Sequence, residues 1–263
     1  MIGFSTLKST ATVLTLMLAT GGAVTAGPAS ALSSAETASV ATSEQEQKSQ
    51  NAQRRWKLTF RDRFQGRKIN TDNWVVYDQN QRDADNAIVR DGKLILRTKR
   101  SGSGWSAAGV GNSRARQMQY GKYVIRTRFD RGYGVRATAL LWPTGGVWPP
   151  EVNFFEVAAN DTHRRVNRLT NHYSSRNQMI HREYRRDFTR WHRVGVIWTP
   201  KMLKFTFDGK ILRRIRGHVP ERKMWLGMQT AVGGETAGPT KSTPRVVDFE
   251  VDWVKIYRYL GRR

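Results

Sequence analysis

From Trp56 onward, apolar and polar residues alternate in short runs, each closed by Gly, Pro, Asn or Asp. Trp56-Lys57-Leu58-Thr59-Phe60 alternates as a half-buried strand does, and Phe64, Gly66, Ile69 and Trp74 follow at the spacing of an irregular, packed entry loop. Runs at 86–90 and 93–98 flank Asp91-Gly92, a two-residue hairpin signal, and Asp208-Gly209 sits the same way between 203–207 and 210–216. Residues 122–129 alternate cleanly behind Tyr120-Gly121, while 135–142 is more continuously apolar and reads as more deeply buried. Further runs cover 166–173, after a turn at Asn160-Asp161-Thr162, and then 191–198, 224–232 and 246–257. About a dozen short strands, with no amphipathic helix of consequence and no internal repeat, predict an all-β chain folded as a two-sheet β-sandwich.

One run departs from simple alternation. Trp148-Pro149-Pro150-Glu151-Val152-Asn153-Phe154-Phe155-Glu156 holds two carboxylates in a stretch whose other residues suit a buried strand. In a regular strand Glu151 and Asn153 share one face and Glu156 lies on the other. A β-bulge among Asn153, Phe154 and Phe155 would return Glu156 to the face of Glu151, with Asn153 between them. Two carboxyl groups about 5–5.5 Å apart are what a retaining glycosidase requires. The Cα atoms of the pair would stand about 13 Å apart, so the side chains must lean together. The same pattern also suits the wet face of an ordinary sheet. Trp142 and Trp148, among Pro143, Gly145, Gly146, Pro149 and Pro150, favour the first reading, because exposed aromatics beside paired acids make a platform for sugar rings.

Composition narrows the setting. The first 31 residues resemble a secretory leader: Lys8, an apolar stretch at 11–19 too short to span a membrane, and Ala29-Ser30-Ala31 as an A-x-A cleavage site. Residues 32–55, rich in Ser, Ala, Thr, Glu and Gln, read as a disordered linker with some helix allowed over 44–53, and 56–263 as one domain. The chain has 263 residues and no Cys, which excludes disulfides, thiolate metal sites and a thiol nucleophile. An exported, extracellular protein with no membrane partner is expected, and nothing in the sequence points beyond a monomer. The balance of 45 Lys+Arg against 21 Asp+Glu, a net charge of +24, suits either a solvated basic surface or attraction to polyanions. The basic residues are spread along strands, as at Arg126, Arg128, Arg131 and Arg136, and match no nucleic-acid motif, so nucleic acid is not an expected partner.

Taken together the runs resemble glycoside hydrolase family 16 over roughly Trp56 to Tyr259. The most specific element is the family's bulged E-x-D-x-x-E, here Glu151 to Glu156, in the form found on its laminarinase and agarase side. Residues 60–64 resemble the opening F-x-D-x-F. Residues 120–128 resemble Y-G-x-[YF]-E-x-R, with Val124 where Glu usually stands. Leu141-Trp142-Pro143 and Trp148-Pro149 match the approach to the catalytic strand, 188–200 and 205–209 resemble H-x-Y-x-x-x-W-x-P and F-Y-x-D-G, and Gly233-Gly234 with 251–257 resemble the closing strands.

The resemblance implies a jelly roll of the concanavalin A-like lectin/glucanase type and a polysaccharide substrate. It implies Glu151 as nucleophile, Glu156 as acid/base, and Trp142 and Trp148 lining a glycan cleft. Asn171, His172 and Tyr173 fall where the family has a polar and aromatic cleft strand, although they also read as ordinary strand residues. No cofactor is required, but many members carry a structural Ca²⁺, and Gly92 and Asp252 match its positions; Asp252 equally suits a turn-capping acid. The family has Asp where this chain has Asn153. An amide keeps a hydrogen-bonding group but loses a charge and cannot carry a proton, which should ease deprotonation of both glutamates. The expected function is a secreted retaining endo-β-glycanase acting on a β-1,3- or mixed-linkage glucan or a galactan, with an anionic polysaccharide as a further candidate. The alternatives are a sugar-binding protein that Asn153 has silenced, or a transglycosylase of the cell wall.

Overall fold

The computed structural model describes Gln47, Gln50 and residues 55–102, 104–234 and 237–261. The expected leader (1–31) and the expected linker (32–55) lie outside the described residues except for Gln47 and Gln50, which are helical, and Arg55. The chain divides into Met1–Ser49 and Gln50–Arg263, and every strand belongs to the second unit. Among the described residues no helix is long and apolar enough to cross a membrane.

The strands run β1 (Trp56–Asp62), β2 (Val75–Val76), β3 (Ala87–Arg90), β4 (Lys93–Ser101), β5 (Gly104–Ser106), β6 (Gly109–Gly111), β7 (Gly121–Phe129), β8 (Val135–Pro143), β9 (Glu151–Val157), β10 (Val166–Ser174), β11 (Gln178–Arg185), β12 (His192–Thr199), β13 (Met202–Phe207), β14 (Lys210–Arg216), β15 (Met224–Val232) and β16 (Val246–Tyr259). A 3₁₀ turn, Ala84–Asn86, precedes β3. Every run expected from alternation is a strand. At the two hairpins, Asp91 and Gly92 (φ 53° and 68°) and Asp208 and Gly209 (φ 47° and 87°) take the positive φ that tight hairpin turns need.

Two antiparallel sheets stack. One has the order β14-β13-β12-β7-β16-β4-β3, with β1 on β16 and β5 on β4; the other runs β11-β10-β9-β8-β15-β6-β2. Their facing residues form one core, in which Val135, Ala137, Ala139 and Leu141 of β8 and Val152, Phe154, Phe155 and Val157 of β9 meet Tyr123, Ile125, Phe249, Val251 and Val254 of the other sheet. Alternation in β7 and β8 follows from this, since one side chain in two enters the core. The central strands of the second sheet are thereby fixed in register, and their remaining side chains point away from the core.

Two polar devices hold the ends. Asp62 accepts from the backbone N–H of Phe64 at 2.7 Å and from the Trp74 indole at 2.8 Å, which gives the opening Phe60-x-Asp62-x-Phe64 pattern its physical role. Arg164, in the turn between β9 and β10, is fully buried. Its guanidinium donates to the carbonyls of Asp130 (2.7 Å), Gly132 (2.6 Å), Val135 (2.9 Å), Asp161 (3.1 Å) and Ala158 (3.5 Å), and lies 3.8 Å over the Phe129 ring. Burial pulls its pKa down to about 10, which leaves it charged at neutral pH.

Candidate active site

The register of β8 and β9 pairs Leu141 with Val152 and Leu140 with Asn153, then Ala139 with Phe155 and Thr138 with Glu156. Phe154 is therefore the extra residue of a β-bulge. The cause is local: two consecutive phenylalanines both enter the core, where Phe155 stacks on Phe249 at 5.2 Å, and a regular strand could bury only one of them. The bulge leaves backbone groups without ladder partners, and Asn167 of β10 satisfies them. Its Oδ1 accepts from the Glu156 N–H at 2.7 Å, and its Nδ2 donates to the Phe154 carbonyl at 3.2 Å and the Tyr184 hydroxyl at 2.8 Å.

Past the bulge, Glu156 lies on the same outward face as Asn153. Asn153 Nδ2 donates to Glu156 Oε2 at 3.4 Å, and Thr170 Oγ1 donates to the same oxygen at 3.5 Å. Glu151 pairs across the sheet with His172 and accepts from the Trp148 indole at 2.9 Å, while Trp148 packs on His172 with ring centres 5.6 Å apart. Trp148 approaches the strand through two successive cis peptide bonds, Trp148-Pro149 and Pro149-Pro150. Trp142 shares the face of Leu140 and Thr138, opposite Trp225. Glu151, Asn153, Glu156, Trp142, Trp148 and His172 are thus brought together on one face.

Electrostatics separates the two acids. Burial raises the Glu156 pKa above the ordinary carboxylate range; Arg168 opposes this, Glu151 adds to it, and Arg136 and His172 pull the other way. Loss of the Asp charge at 153 therefore does not leave Glu156 strongly acidic, because burial is the largest cause. A carboxyl whose folded pKa is raised contributes stability that is fully present below its unfolded pKa and is lost as pH rises through the folded value. Glu156→Gln, which removes the titration but keeps the shape, is accordingly expected to melt at a higher temperature than the parent at about pH 7. The gain should disappear at about pH 3. Calorimetric melting of both proteins across this range checks it; equal melting temperatures throughout would show that burial does not strain this carboxylate.

Three expectations need correction. Asn171 is buried on the opposite face of β10, where its Nδ2 donates to the His218 carbonyl at 2.9 Å. Tyr173 stacks on the His218 ring at 3.9 Å. Strand alternation puts Asn171 on the other side from His172, and Tyr173, at the register shift between His172 and Ser174, packs against His218 as well. The third is the metal site. Asp252 and Gly92 do lie near each other, since Val251 pairs with Leu94 and Lys93 follows the Gly92 turn. However, Arg126 Nη1 sits 2.5 Å from Asp252 Oδ2, so the carboxylate already has its cation. No group of three or more Asp, Glu, His or Cys side chains that could hold a metal occurs among the described residues. These residues do not fit Ca²⁺.

The face also carries residues that motif reading did not single out. Tyr77 lies over the β6 glycines. A Cβ at Gly109 would meet its ring at 2.3 Å, and one at Gly111 would meet its hydroxyl and the Trp225 ring at 2.5 Å each, so only glycine admits these rings. Arg168 and Thr170 share the parity of His172, which alternation in β10 alone reveals. Glu156, Arg136, Arg168, Thr170, His172 and His181 line a cavity of about 400 Å³.

Residues 35–255 match the family model described as Glycosyl hydrolases family 16, a span that begins upstream of Trp56. Two proteins of Rhizobium meliloti (strain 1021), endo-1,3-1,4-beta-glycanases EglC and ExsH, are each 26% identical over 143 residues, covering 52% of this chain. The match spans 30% of the length of each of these relatives. Among solved structures, the endo-beta-1,3-glucanase from Pyrococcus furiosus superposes with a TM-score of 0.70 at 19% identity, over 78% of this chain and 95% of that one. The jelly-roll architecture is the shared feature.

Proposed function

The chain belongs to glycosyl hydrolases family 16, and from that membership we propose that it is an exported endo-acting β-glycanase that cleaves with retention of configuration. The observation that carries the reading is the bulge at Phe154, which returns Glu156 to the face of Glu151. The names of the two Rhizobium meliloti relatives, endo-1,3-1,4-beta-glycanases, favour a β-1,3- or mixed-linkage glucan as substrate.

In this reading the Glu151 carboxylate, oriented by the Trp148 indole, attacks the anomeric carbon. The bond to the glycosidic oxygen breaks as Glu156 donates its proton to that oxygen. The raised pKa of Glu156 keeps a larger protonated fraction available at neutral pH. Glu156, now ionised, takes a proton from water; the water oxygen attacks the same carbon and Glu151 leaves, so configuration is retained. Trp142, Trp148 and Trp225 supply faces for sugar rings. Asn153 donates to Glu156.

Asn153 also favours a second reading, a glycan-binding protein with weak chemistry, because it puts a neutral amide between the acids. Product release from laminarin, lichenan, agarose and carrageenan, with Asn153→Asp alongside, separates the two. A carboxylate at 153 adds negative charge beside Glu156 and should raise its pKa further. The basic limb of the pH–kcat/KM profile is then expected to move to higher pH in Asn153→Asp. Oligosaccharides from the parent protein support the enzyme. Products from Asn153→Asp alone would mean that the amide silences the site, and none from either would reject the glycanase reading for these polymers.

A further inference from the structure

The outward face of the second sheet is polarised. Around Glu151 it is aromatic, with Trp142, Trp148, Trp225 and His172. Beyond Glu156 it is cationic. Arg136 pairs across β8 and β15 with Ala231, two residues from Gln229, and Arg82 Nη2 donates to Gln229 Oε1 at 2.9 Å. Arg136 bears on Arg82, and Arg136 and Arg168 both act on Glu156.

Arg136 and Arg168 line the cavity that holds Glu156. On the first sheet several guanidinium groups meet carboxylates: Arg97 meets Asp248, Arg126 meets Asp252 and Arg128 meets Glu250. Arg168 shares Glu183 at 3.3 Å, where both side chains are well exposed. Arg136 makes no hydrogen bond or ion pair with any described residue, and Arg82 has no carboxylate partner. The Arg82 Nε is moreover buried and unpaired. Like charges near one another with no anion between them are unfavourable. A buried N–H left without an acceptor adds a further cost. An anion beside them offsets the repulsion, and guanidinium forks suit the planar or tetrahedral oxygens of carboxylate and sulfate. Both groups occur as substituents on polysaccharides, and a neutral glucan offers only hydroxyls to this part of the wall.

We propose that Arg82, Arg136 and Arg168 form an anion-recognising subsite on the Glu156 side of the cleft, and that the substrate is a β-glycan bearing carboxylate or sulfate substituents. This rests on the glycanase reading above and specifies its substrate class. The aromatic side would hold unsubstituted sugar faces while the cationic side reads the charged substituent, so a chain is held in one direction.

The experiment compares laminarin with its sulfated and carboxymethylated derivatives, in turnover and in calorimetric binding, for the full-length protein, Arg136→Gln and Arg82→Gln. A kcat/KM advantage of about tenfold for one anionic derivative is expected, as is typical of a charge-assisted hydrogen bond gained in a partly buried site. The ratio of anionic to neutral turnover should fall toward one in either variant. Preference for the sulfated over the carboxymethylated polymer, or the reverse, identifies the substituent. An equal or lower rate on both derivatives overturns the proposal, as does an advantage that survives both substitutions. If no polymer is cleaved, the glycanase reading falls and binding decides the subsite. Tighter binding of an anionic derivative that is lost in Arg136→Gln keeps it, and binding unchanged by both substitutions removes it. Arg136 is exposed and unpaired, so Arg136→Gln is not expected to affect folding; a melting curve confirms that its loss is local.

Discussion

Glu151→Gln is expected to lower turnover of a susceptible glucan by roughly 10⁴-fold or more, the scale on which removal of a nucleophile acts. The substitution isolates chemistry from structure. Gln keeps an oxygen that can accept from the Trp148 indole, and Glu151 lies at the half-buried start of β9 rather than in the core. Melting temperature and glycan binding should therefore persist while cleavage stops. Azide tests the role more closely. In Glu151→Ala, azide can enter from the vacated side and attack the anomeric carbon directly, giving a glycosyl azide of inverted configuration. In Glu156→Ala, the nucleophile remains and azide replaces water in the second step, giving a product of retained configuration. Substantial turnover by Glu151→Gln, or inversion in the Glu156 variant, would end the assignment of roles.

The second large effect concerns stability. Arg164→Met is expected to destabilise the domain by about 3–5 kcal/mol, the range seen when a buried polar cluster loses its central group. Five carbonyls accept from this one guanidinium, those of Asp130, Gly132, Val135, Ala158 and Asp161, of which the last two also accept from the backbone N–H groups of Asp161 and Arg164. Each carbonyl left buried without a donor costs about 1–3 kcal/mol before relaxation. Arg164→Lys keeps the charge but cannot spread its donors over the same fan, so it should fall between the two. Urea midpoints of the three proteins measure this, and equal midpoints would show that the carbonyls find other donors. Because Arg164 ties the β7–β8 connection to the end of β9, its loss should also loosen the strand that carries both acids.

Much of this was legible in the chain because the deciding interactions are local. Asp91-Gly92 and Asp208-Gly209 announce their hairpins through φ alone. Phe154-Phe155 between a polar residue on either side announces the bulge, because two neighbouring side chains that both seek the core break alternation. The β11 strand was not legible: of its eight residues only Tyr184 is buried, so no apolar period marks it. The short β2, β5 and β6 are two or three residues long and carry no period at all. Asn171 and Tyr173 fit a family motif, yet Asn171 alternates away from His172 in β10 and Tyr173 packs on the His218 ring. Arg164 and Asn167 were invisible for a different reason. Each is defined by backbone groups distant in sequence, and nothing in the neighbouring residues reveals which carbonyls or N–H groups it will meet.

The outermost strands give part of the net charge of +24 a further meaning. Among the described residues β14 pairs only with β13 and β11 only with β10, so each ends its sheet with one margin that no strand covers. Lys210, Arg213, Arg214 and Arg216 are exposed along β14, and Arg182 and Arg185 along β11. Unclaimed strand margins invite a second copy to add on, and aligned arginines oppose that approach. The charge thus acts as a guard against fibrillar stacking, and its reach is set by the medium. Near physiological salt it extends about 8 Å, enough to turn away an oncoming strand, while at 1 M salt it shrinks to about 3 Å. In concentrated brine, the guard would operate only at the moment of touch.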